Sequence, residues 1–213
     1  MEGCGINQEG SMGNTPLAWA AGGGHGAVVK MLLDREDVDP NKPGEDGQTP
    51  LLLAACDGYE EVVKMLLGQE EVSPDKPDND GQTPLFCAAS NGHSGVVKIL
   101  LGWEEVNPNR PDNYGQTPLA DAAMNGHEEV VKILLRREEV NPDKPNRWGR
   151  APLSYAAGYG DEGVVKILLE REEVNPDNPD RFGRTPLSYA AQRRHEKVVA
   201  LLQSRKAIPP RTI

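Results

Sequence analysis

The sequence is poor in aromatic residues and in cysteine, and it contains no long apolar run. Aromatic residues make up only 5% of the chain, which favours small alanine, valine and leucine interfaces over one large globular core. The three cysteines, Cys4, Cys56 and Cys87, have no metal-ligand spacing and are odd in number, which argues against a disulfide framework. We therefore expect reduced thiols and a cytoplasmic protein, with the nucleus as the alternative. No apolar stretch approaches 18 residues, so the sequence predicts no transmembrane helix.

Positive charge is also scarce. The formal net charge is −10 and the isoelectric point is about 4.9, which argues against nucleic-acid or anionic-membrane binding because both need a basic surface. The charge is uneven, since residues 1–112 hold 7 basic and 19 acidic residues whereas residues 113–213 hold 16 and 14. A chain that is electrically polar along its length can orient a partner.

The sequence is rich in an internal repeat. Thr-Pro-Leu recurs every 34 residues, with Ala151-Pro152-Leu153 as the one variant, and its copies begin at Thr15, Thr49, Thr83, Thr117, Ala151 and Thr185. A fixed period of this length indicates a stacked array in which each unit contacts its neighbours. The predicted organisation is a lead-in, six repeats and a tail, with bounds 1–12, 13–46, 47–80, 81–114, 115–148, 149–182, 183–206 and 207–213.

Repeat four shows how one unit is built. Gly115 suits a turn with a positive φ, Thr117 is a good N-cap, and Pro118 suits the first helical position. The pattern predicts a short helix over about 118–125 and a second helix over about 128–137, so the fold class is all-α. A proline-punctuated connector over 138–145 cannot be helical throughout and predicts an extended, hairpin-like arm.

These residues resemble the ankyrin repeat, whose signature is Thr-Pro-Leu-His-x-Ala-Ala followed by Gly-His and a Val-Val-x-x-Leu-Leu helix. The resemblance implies a solenoid of stacked helix-turn-helix units, hairpin-like fingers at right angles to them, and a concave surface that binds proteins. The signature histidine is absent from every repeat, which leaves open how the repeats are hydrogen-bonded to each other. The residues at its position are Ala18, Leu52, Phe86, Ala120, Ser154 and Ser188.

The arm of this chain, Glu-Glu-Val-Asn-Pro-Asp-Lys-Pro, resembles the near-identical ankyrin arrays of filamentous fungi. Such arrays often form the C-terminal sensor region of NLR-like proteins. This resemblance implies a ligand-sensing role within a larger receptor as one alternative for the function.

The candidate binding residues are those that vary between otherwise similar repeats. Tyr114, Trp148 and Phe182 precede the turn glycines and predict a column of aromatic fingertips, although a fingertip ring can also simply pack on the next finger. Exposed aromatic and arginine side chains dominate binding hot spots. The other predicted binding residues are Arg147, Arg150, Arg181, Arg184, Tyr159, Arg193, Met124 and Asn125.

Four further positions have structural interpretations. We expect Trp19, Tyr155 and Tyr189, which follow Thr-Pro-Leu at the second position, to pack in the core. Asp121 shares that position in repeat four, and we expect it to be exposed or to pair with an arginine of the next repeat, Arg150 or Arg147.

The remaining chemistry-bearing residues belong to repeated framework positions. We expect the histidines of the Gly-His motif to be structural residues and the paired glutamates of the arms to be solvated. No Ser-His-Asp set, phosphate-binding glycine loop or Cys-x-x-Cys motif is present. The sequence therefore predicts no catalytic residue, no metal site and no cofactor. The four histidines are His25, His93, His127 and His195.

Three functional hypotheses follow. The first is an interaction module that binds a protein partner mainly through repeats four to six, and the second is a structural spacer without a dedicated ligand. The third is the sensor region implied by the fungal resemblance. A fourth possibility, an engineered scaffold, is disfavoured by irregularities such as Asp121 and Ala151. We expect a monomer. The apolar pattern of the first repeat leaves open a dimer through that repeat, or a longer chain.

Overall fold

The chain forms a solenoid of stacked helix pairs. In a computed structural model, residue 7 and residues 13–206 are described, and within them there are twelve α-helices and no strand. The first helices of the repeats are α1 (Pro16–Gly22), α3 (Pro50–Cys56), α5 (Pro84–Ser90), α7 (Pro118–Met124), α9 (Pro152–Tyr159) and α11 (Pro186–Gln192). The second helices are α2 (Gly26–Leu33), α4 (Glu60–Leu67), α6 (Ser94–Leu100), α8 (Glu128–Leu135), α10 (Glu162–Leu169) and α12 (Glu196–Lys206).

Local sequence chemistry explains where the first helices begin. The Thr117 hydroxyl accepts a hydrogen bond from the Ala120 N–H at 3.2 Å, and Pro118 occupies the first turn. Gly115 has a φ of +78°, so the positive φ predicted for it is confirmed. Ala151 has no hydroxyl, and α9 accordingly has no side-chain cap at its N-terminus.

The helices end slightly earlier than the sequence predicts. α7 ends at Met124 and α8 ends at Leu135, against predicted ends at about 125 and 137. After α8 the chain tightens, because the Arg136 and Arg137 N–H groups donate to the carbonyls three residues earlier, at 3.2 and 3.1 Å. This tighter turn satisfies carbonyl groups that the helix leaves free at its C-terminus.

The helices pack in two layers. Each first helix packs against the first helix of the next repeat, and the second helices pack on each other in the same order. Ala122 and Ala123 are fully buried between neighbouring first helices, while Leu134 of α8 is fully buried in the second layer. Small residues in the first layer let neighbouring helices approach closely.

The repeats are hydrogen-bonded through the histidines of the Gly-His motif. His93 and His127 lie with Nε2 at 2.9 Å from the carbonyl oxygens of Cys56 and Ser90, one repeat earlier, and His195 lies 3.2 Å from the Gly158 carbonyl. A carbonyl only accepts, so each Nε2 is the donor. The structural role predicted for these three histidines is confirmed, and they join the repeats without the signature histidine.

A second ladder runs along the base of the arms. The Asn109 amide donates to the Glu139 carbonyl, its Oδ1 accepts from the Asn141 N–H at 2.9 Å, and its carbonyl accepts from Lys144 at 2.9 Å. Asn41 forms the same three bonds two arms earlier. Asn7 also forms them, with Asp37, Asp39 and Lys42. Asn7 therefore keeps the 34-residue register although it lies in the predicted lead-in; the rest of 1–12, and the tail 207–213, lie outside the described residues.

The first repeat has an exposed apolar face. Val28 and Met31 are exposed, whereas Val62 and Ile133, which hold the same positions in later repeats, are buried. A dimer through this face, and the monomer that we expect instead, both stay predictions.

Asp143 is a defect in the arm ladder, and we expect Asp143→Asn to stabilise the protein by about 1 kcal/mol at neutral pH. Its half-buried carboxylate cannot donate as Asn109 does, and its Oδ1 is buried without a hydrogen-bond partner. The substitution supplies the missing donor for the Glu173 carbonyl, which occupies the position of the Glu139 carbonyl. Urea unfolding measures the change, and the reverse substitution Asn109→Asp should destabilise by a similar amount.

The stabilisation that we expect from Asp143→Asn should depend on pH. Burial raises the pKa of Asp143 above its ordinary value, although hydrogen bonds from Asn175 and Asn178 oppose this. The folded wild type therefore binds the proton more tightly than the unfolded chain, and the charged carboxylate costs stability only above the unfolded pKa. The advantage of Asp143→Asn should shrink as the pH falls and Asp143 becomes protonated. An equal or greater advantage in acid would contradict this account.

Candidate functional site

The fingertips are turns closed by an Asp or Asn side chain. Asp112 Oδ1 accepts hydrogen bonds from the N–H groups of Tyr114 and Gln116 at 2.8 and 2.7 Å. Asn146 and Asp180 close the next two tips in the same way. Such side-chain-to-backbone bonds are typical of Asx turns, and here they place one residue at each tip.

Neighbouring fingers are joined by single backbone hydrogen bonds. The Arg147 N–H donates to the Tyr114 carbonyl at 3.2 Å, and the Arg181 N–H donates to the Trp148 carbonyl at 2.9 Å. The tips therefore lie side by side along the array. We call the surface formed by the fingertips and the first helices beside them the finger surface.

Tyr114, Arg147 and Trp148 form a cluster on the finger surface. The Tyr114 and Trp148 rings are stacked, with centroids 6.1 Å apart and an interplanar angle of 14°. The Arg147 guanidinium lies 4.9 Å from the Tyr114 ring and 5.6 Å from the Trp148 ring. The rings remain 48% and 42% exposed. The sequence left two interpretations of a fingertip ring, an exposed binding residue or a ring packed on the next finger. Both apply to this pair, since the rings pack on each other across two fingers and still face solvent.

Phe182 is separate from this pair. It is 68% exposed, and among the described residues no ring contact joins it to Trp148. The Arg184 guanidinium lies 4.7 Å from its ring. The predicted aromatic column is therefore a stacked pair followed by an isolated third tip.

Arg150 and Arg184 take part in a polar network beneath the tips. Arg150 donates to the Tyr189 hydroxyl and lies over the Tyr155 and Tyr189 rings, 4.8 and 4.4 Å from their centroids. Arg184 donates to Asp180 at 3.0 Å. Both arginines are half-buried. Their side chains therefore brace the finger surface, a role that their residue type alone did not reveal.

Asp180 is the centre of that network. The Tyr189 hydroxyl donates to Asp180 Oδ2 at 2.5 Å, and Arg184 forms an ion pair with the same oxygen at 2.9 Å. Burial by itself raises the pKa of Asp180, but the hydrogen bonds from Tyr189, Arg184 and the Phe182 N–H outweigh it and lower the pKa to about 2. Asp180 is therefore a carboxylate at any physiological pH.

The core prediction for three aromatic residues holds for two of them. Tyr155 and Tyr189 are buried, and the Tyr155 hydroxyl accepts from Asn146 of the preceding finger at 2.7 Å. Trp19 is 46% exposed, so its predicted burial is wrong. The later positions are covered by a preceding finger, and within the described residues Trp19 has none.

The prediction for Asp121 is wrong in both of its forms. Asp121 is buried, and within the described residues no arginine pairs with it; Arg147 and Arg150 lie against aromatic rings instead. Its Oδ2 instead lies 3.4 Å from the Asn125 amide nitrogen. Burial raises its pKa, and hydrogen bonds from Ser90 and Gln116 oppose this.

Four of the other predicted residues lie at or near the far end of the first helices, whereas Arg181 lies at a fingertip. The Arg193 guanidinium lies 5.1 Å from the exposed Tyr159 ring, and Arg193 also donates to the Gly158 carbonyl at 3.1 Å. The Asn125 amide donates to the Ser90 carbonyl at 3.1 Å. Met124 is half-buried and Arg181 is exposed. An eight-residue helix such as α9 separates this edge from the fingertips by about 12 Å.

One fingertip position changes from asparagine to arginine along the array, when the repeats are compared at intervals of 34 residues. In the N-terminal fingers, Asn79 and Asn113 donate to backbone carbonyls of the preceding finger at 3.1 and 2.9 Å. Arg147 and Arg181 replace them in the next two fingers. An amide that bonds to the neighbouring finger is thus replaced by an exposed arginine, and Arg147 also lies against two aromatic rings.

The described residues contain no group of three or more potential metal ligands. None of their helices is long and apolar enough to cross a membrane.

Comparison with known families agrees with this architecture. The family described as ankyrin repeats (3 copies) matches residues 1–78, 63–144 and 134–211. No curated protein matches the chain significantly, so the likeness to fungal NLR-like arrays stays a prediction. The matched residues cover nearly the whole chain, and the chain belongs to the ankyrin-repeat family.

Proposed function

We propose that the protein is a non-catalytic interaction module that binds a protein partner on the finger surface of repeats four to six. Ankyrin repeats are generally protein-interaction modules. The observation that carries the proposal is the Tyr114–Arg147–Trp148 cluster, in which stacked rings remain about half exposed.

The cluster has the properties of a binding hot spot. Tryptophan, tyrosine and arginine contribute most of the energy at protein interfaces. The ring stack and the guanidinium that lies against both rings hold the side chains in place before binding. Less side-chain entropy is then lost when a partner docks, which favours affinity.

Trp148→Ala should weaken partner binding by about 2 kcal/mol or more. The partner is first isolated by affinity capture from cells that make the protein, and its affinity is then measured by calorimetry. Trp103→Ala is the matched control, because Trp103 has a similar exposure of 39% but lines a separate groove beside the arms, together with Lys64 and Val72. Circular dichroism checks that both variants remain folded.

A triple variant tests the whole row of tips. Tyr114→Ala/Trp148→Ala/Phe182→Ala should lose a stoichiometric partner that wild type and Trp103→Ala both retain. If wild type captures no stoichiometric partner, the spacer hypothesis is favoured. If the triple variant binds like wild type, the partner docks elsewhere.

The proposal includes a reducing compartment, the cytoplasm or the nucleus. Cys56 and Cys87 are free thiols, and unpaired thiols are typical of proteins in reducing compartments. Fractionation of cells that make the protein would test this, and recovery from a secreted fraction would contradict it.

A further inference from the structure

The finger surface carries a graded charge. Three positions of the repeat change from acidic or neutral residues in the N-terminal repeats to arginine or aromatic residues in the C-terminal ones, and all fifteen side chains are exposed. The first series is Glu45, Asn79, Asn113, Arg147 and Arg181. The second is Asp46, Asp80, Tyr114, Trp148 and Phe182. The third is Asp57, Asn91, Asn125, Tyr159 and Arg193.

Repeated exposed positions of the second helices and the arms show no such gradient. The exposed lysine of the second helix is the same residue in the first five repeats, and the acidic pair of each arm stays acidic throughout. The members of these constant positions are Lys30, Lys64, Lys98, Lys132 and Lys166, and the pairs 36–37, 70–71, 104–105, 138–139 and 172–173. The constant positions of the second helices and of the arms therefore do not share the gradient of the finger surface.

The arginines at the basic end are available to a partner. Arg147, Arg181 and Arg193 are exposed, and within the described part of the chain none of them forms an ion pair with a carboxylate. Arg147 and Arg193 lie against exposed rings, so positive charge and apolar area are adjacent. On the arms, by contrast, Arg137 and Arg171 are neutralised by Glu139 and Glu173 at 2.9 and 3.5 Å.

We infer that the partner presents a segment of acidic and apolar side chains to repeats four to six and basic side chains to repeats one and two. This inference rests on the proposed function and adds the chemistry and the direction of the partner. Carboxylates pair with Arg147 and Arg181, and apolar side chains pack on Trp148 and Phe182. The reversed orientation sets like charges against each other at both ends and is disfavoured.

The protein offers a local reporter for this test. Its three tryptophans are Trp19, Trp103 and Trp148, so Trp19→Phe/Trp103→Phe leaves fluorescence from the basic end alone. In this background, a peptide of alternating glutamate and leucine should change the Trp148 emission saturably. A lysine and leucine peptide of equal length should bind at least about tenfold more weakly. Added salt should weaken binding of the glutamate peptide, because exposed charges are screened.

Charge reversal then locates the site. Arg147→Glu/Arg181→Glu should lower the affinity for the glutamate peptide at least about tenfold. Arg137→Glu/Arg171→Glu makes the same change in net charge on the arms and should leave binding nearly unchanged. Absence of glutamate-peptide binding, equal binding of the lysine peptide, or equal effects of the two double variants would overturn the inference.

The captured partner separates this inference from the proposed function. One outcome is that the triple fingertip variant loses the partner while Arg147→Glu/Arg181→Glu still binds it. This outcome would support the proposed function and would refute the inferred charge pattern of the partner. A partner that survives the triple variant would refute the function itself.

Discussion

Asp180→Ala is expected to destabilise the protein by about 2–3 kcal/mol, because it removes a buried acceptor that the Tyr189 hydroxyl, Arg184 and the Phe182 N–H share. The carboxylate of Asp180 is almost fully buried and accepts from Tyr189, Arg184 and the Phe182 N–H. Without it, the Tyr189 hydroxyl and the Arg184 guanidinium lose their shared partner. Unsatisfied buried donors each cost about 1–3 kcal/mol.

Asparagine should not rescue position 180. At Asn146 an amide is accommodated because the Tyr155 hydroxyl accepts from it. The Tyr189 hydroxyl already accepts from Arg150 and must donate to residue 180. An amide NH₂ there would meet the Tyr189 or Arg184 donors, so Asp180→Asn should lose most of the stability that Asp180→Ala loses.

Asp112→Ala is the matched control for the turn itself. Asp112 closes its fingertip with the same two backbone bonds, and no ion pair to its carboxylate is present among the described residues. We expect a loss of about 1 kcal/mol, comparable to other side-chain caps. Urea unfolding followed by circular dichroism measures all three variants, and equal losses for Asp112→Ala and Asp180→Ala would contradict the network account.

The contribution of Asp180 should also disappear in acid. Its pKa is about 2 in the folded protein, below the ordinary aspartate value of about 3.9. A lowered folded pKa contributes stability above the unfolded pKa, and this stability is lost as the pH falls from about 4 towards 2. The shift corresponds to about 2–3 kcal/mol. The difference between wild type and Asp180→Ala, measured at several pH values, should narrow over this range.

Leu134→Ala is expected to cost about 3–5 kcal/mol, the range for fully buried leucines in cavity-forming substitutions. Leu134 has no exposed surface, and its helix α8 packs against both α6 and α10. The cavity would therefore weaken the interfaces of repeat four on both sides. Because a solenoid is stabilised by contacts between neighbours, this loss should uncouple the two halves of the array.

Leu32→Ala tests the role of position within the array. Leu32 corresponds to Leu134 in the first repeat but is only partly buried against the core. We expect a loss below about 1.5 kcal/mol, since less apolar area is uncovered. Unfolding of Leu134→Ala should also broaden or become biphasic, whereas that of Leu32→Ala should stay close to wild type. Equal losses would show that burial within the array does not set the energies.

The amino-acid sequence by itself determined the period, the helix pairs and the local turns. These depend on interactions within a few residues, such as the Thr117 cap, Pro118 in the first turn and the positive φ of Gly115. The structural role of His127 was also predictable, because a residue that recurs in register serves the packing of every unit. Helix ends differed by only one or two residues, since the last turn tightens after Leu135.

Which of the varied side chains face solvent could be seen only in the tertiary structure. Arg147 and Arg150 lie three residues apart in the same finger, yet one is exposed on the stacked rings and the other is held by Tyr155 and Tyr189. Asp121 is buried although it is charged, and Trp19 is exposed although it is apolar. The physical reason is that each environment is formed by a neighbouring repeat or finger. A side chain that is determined by contacts 30 or more residues away cannot be placed from its local sequence.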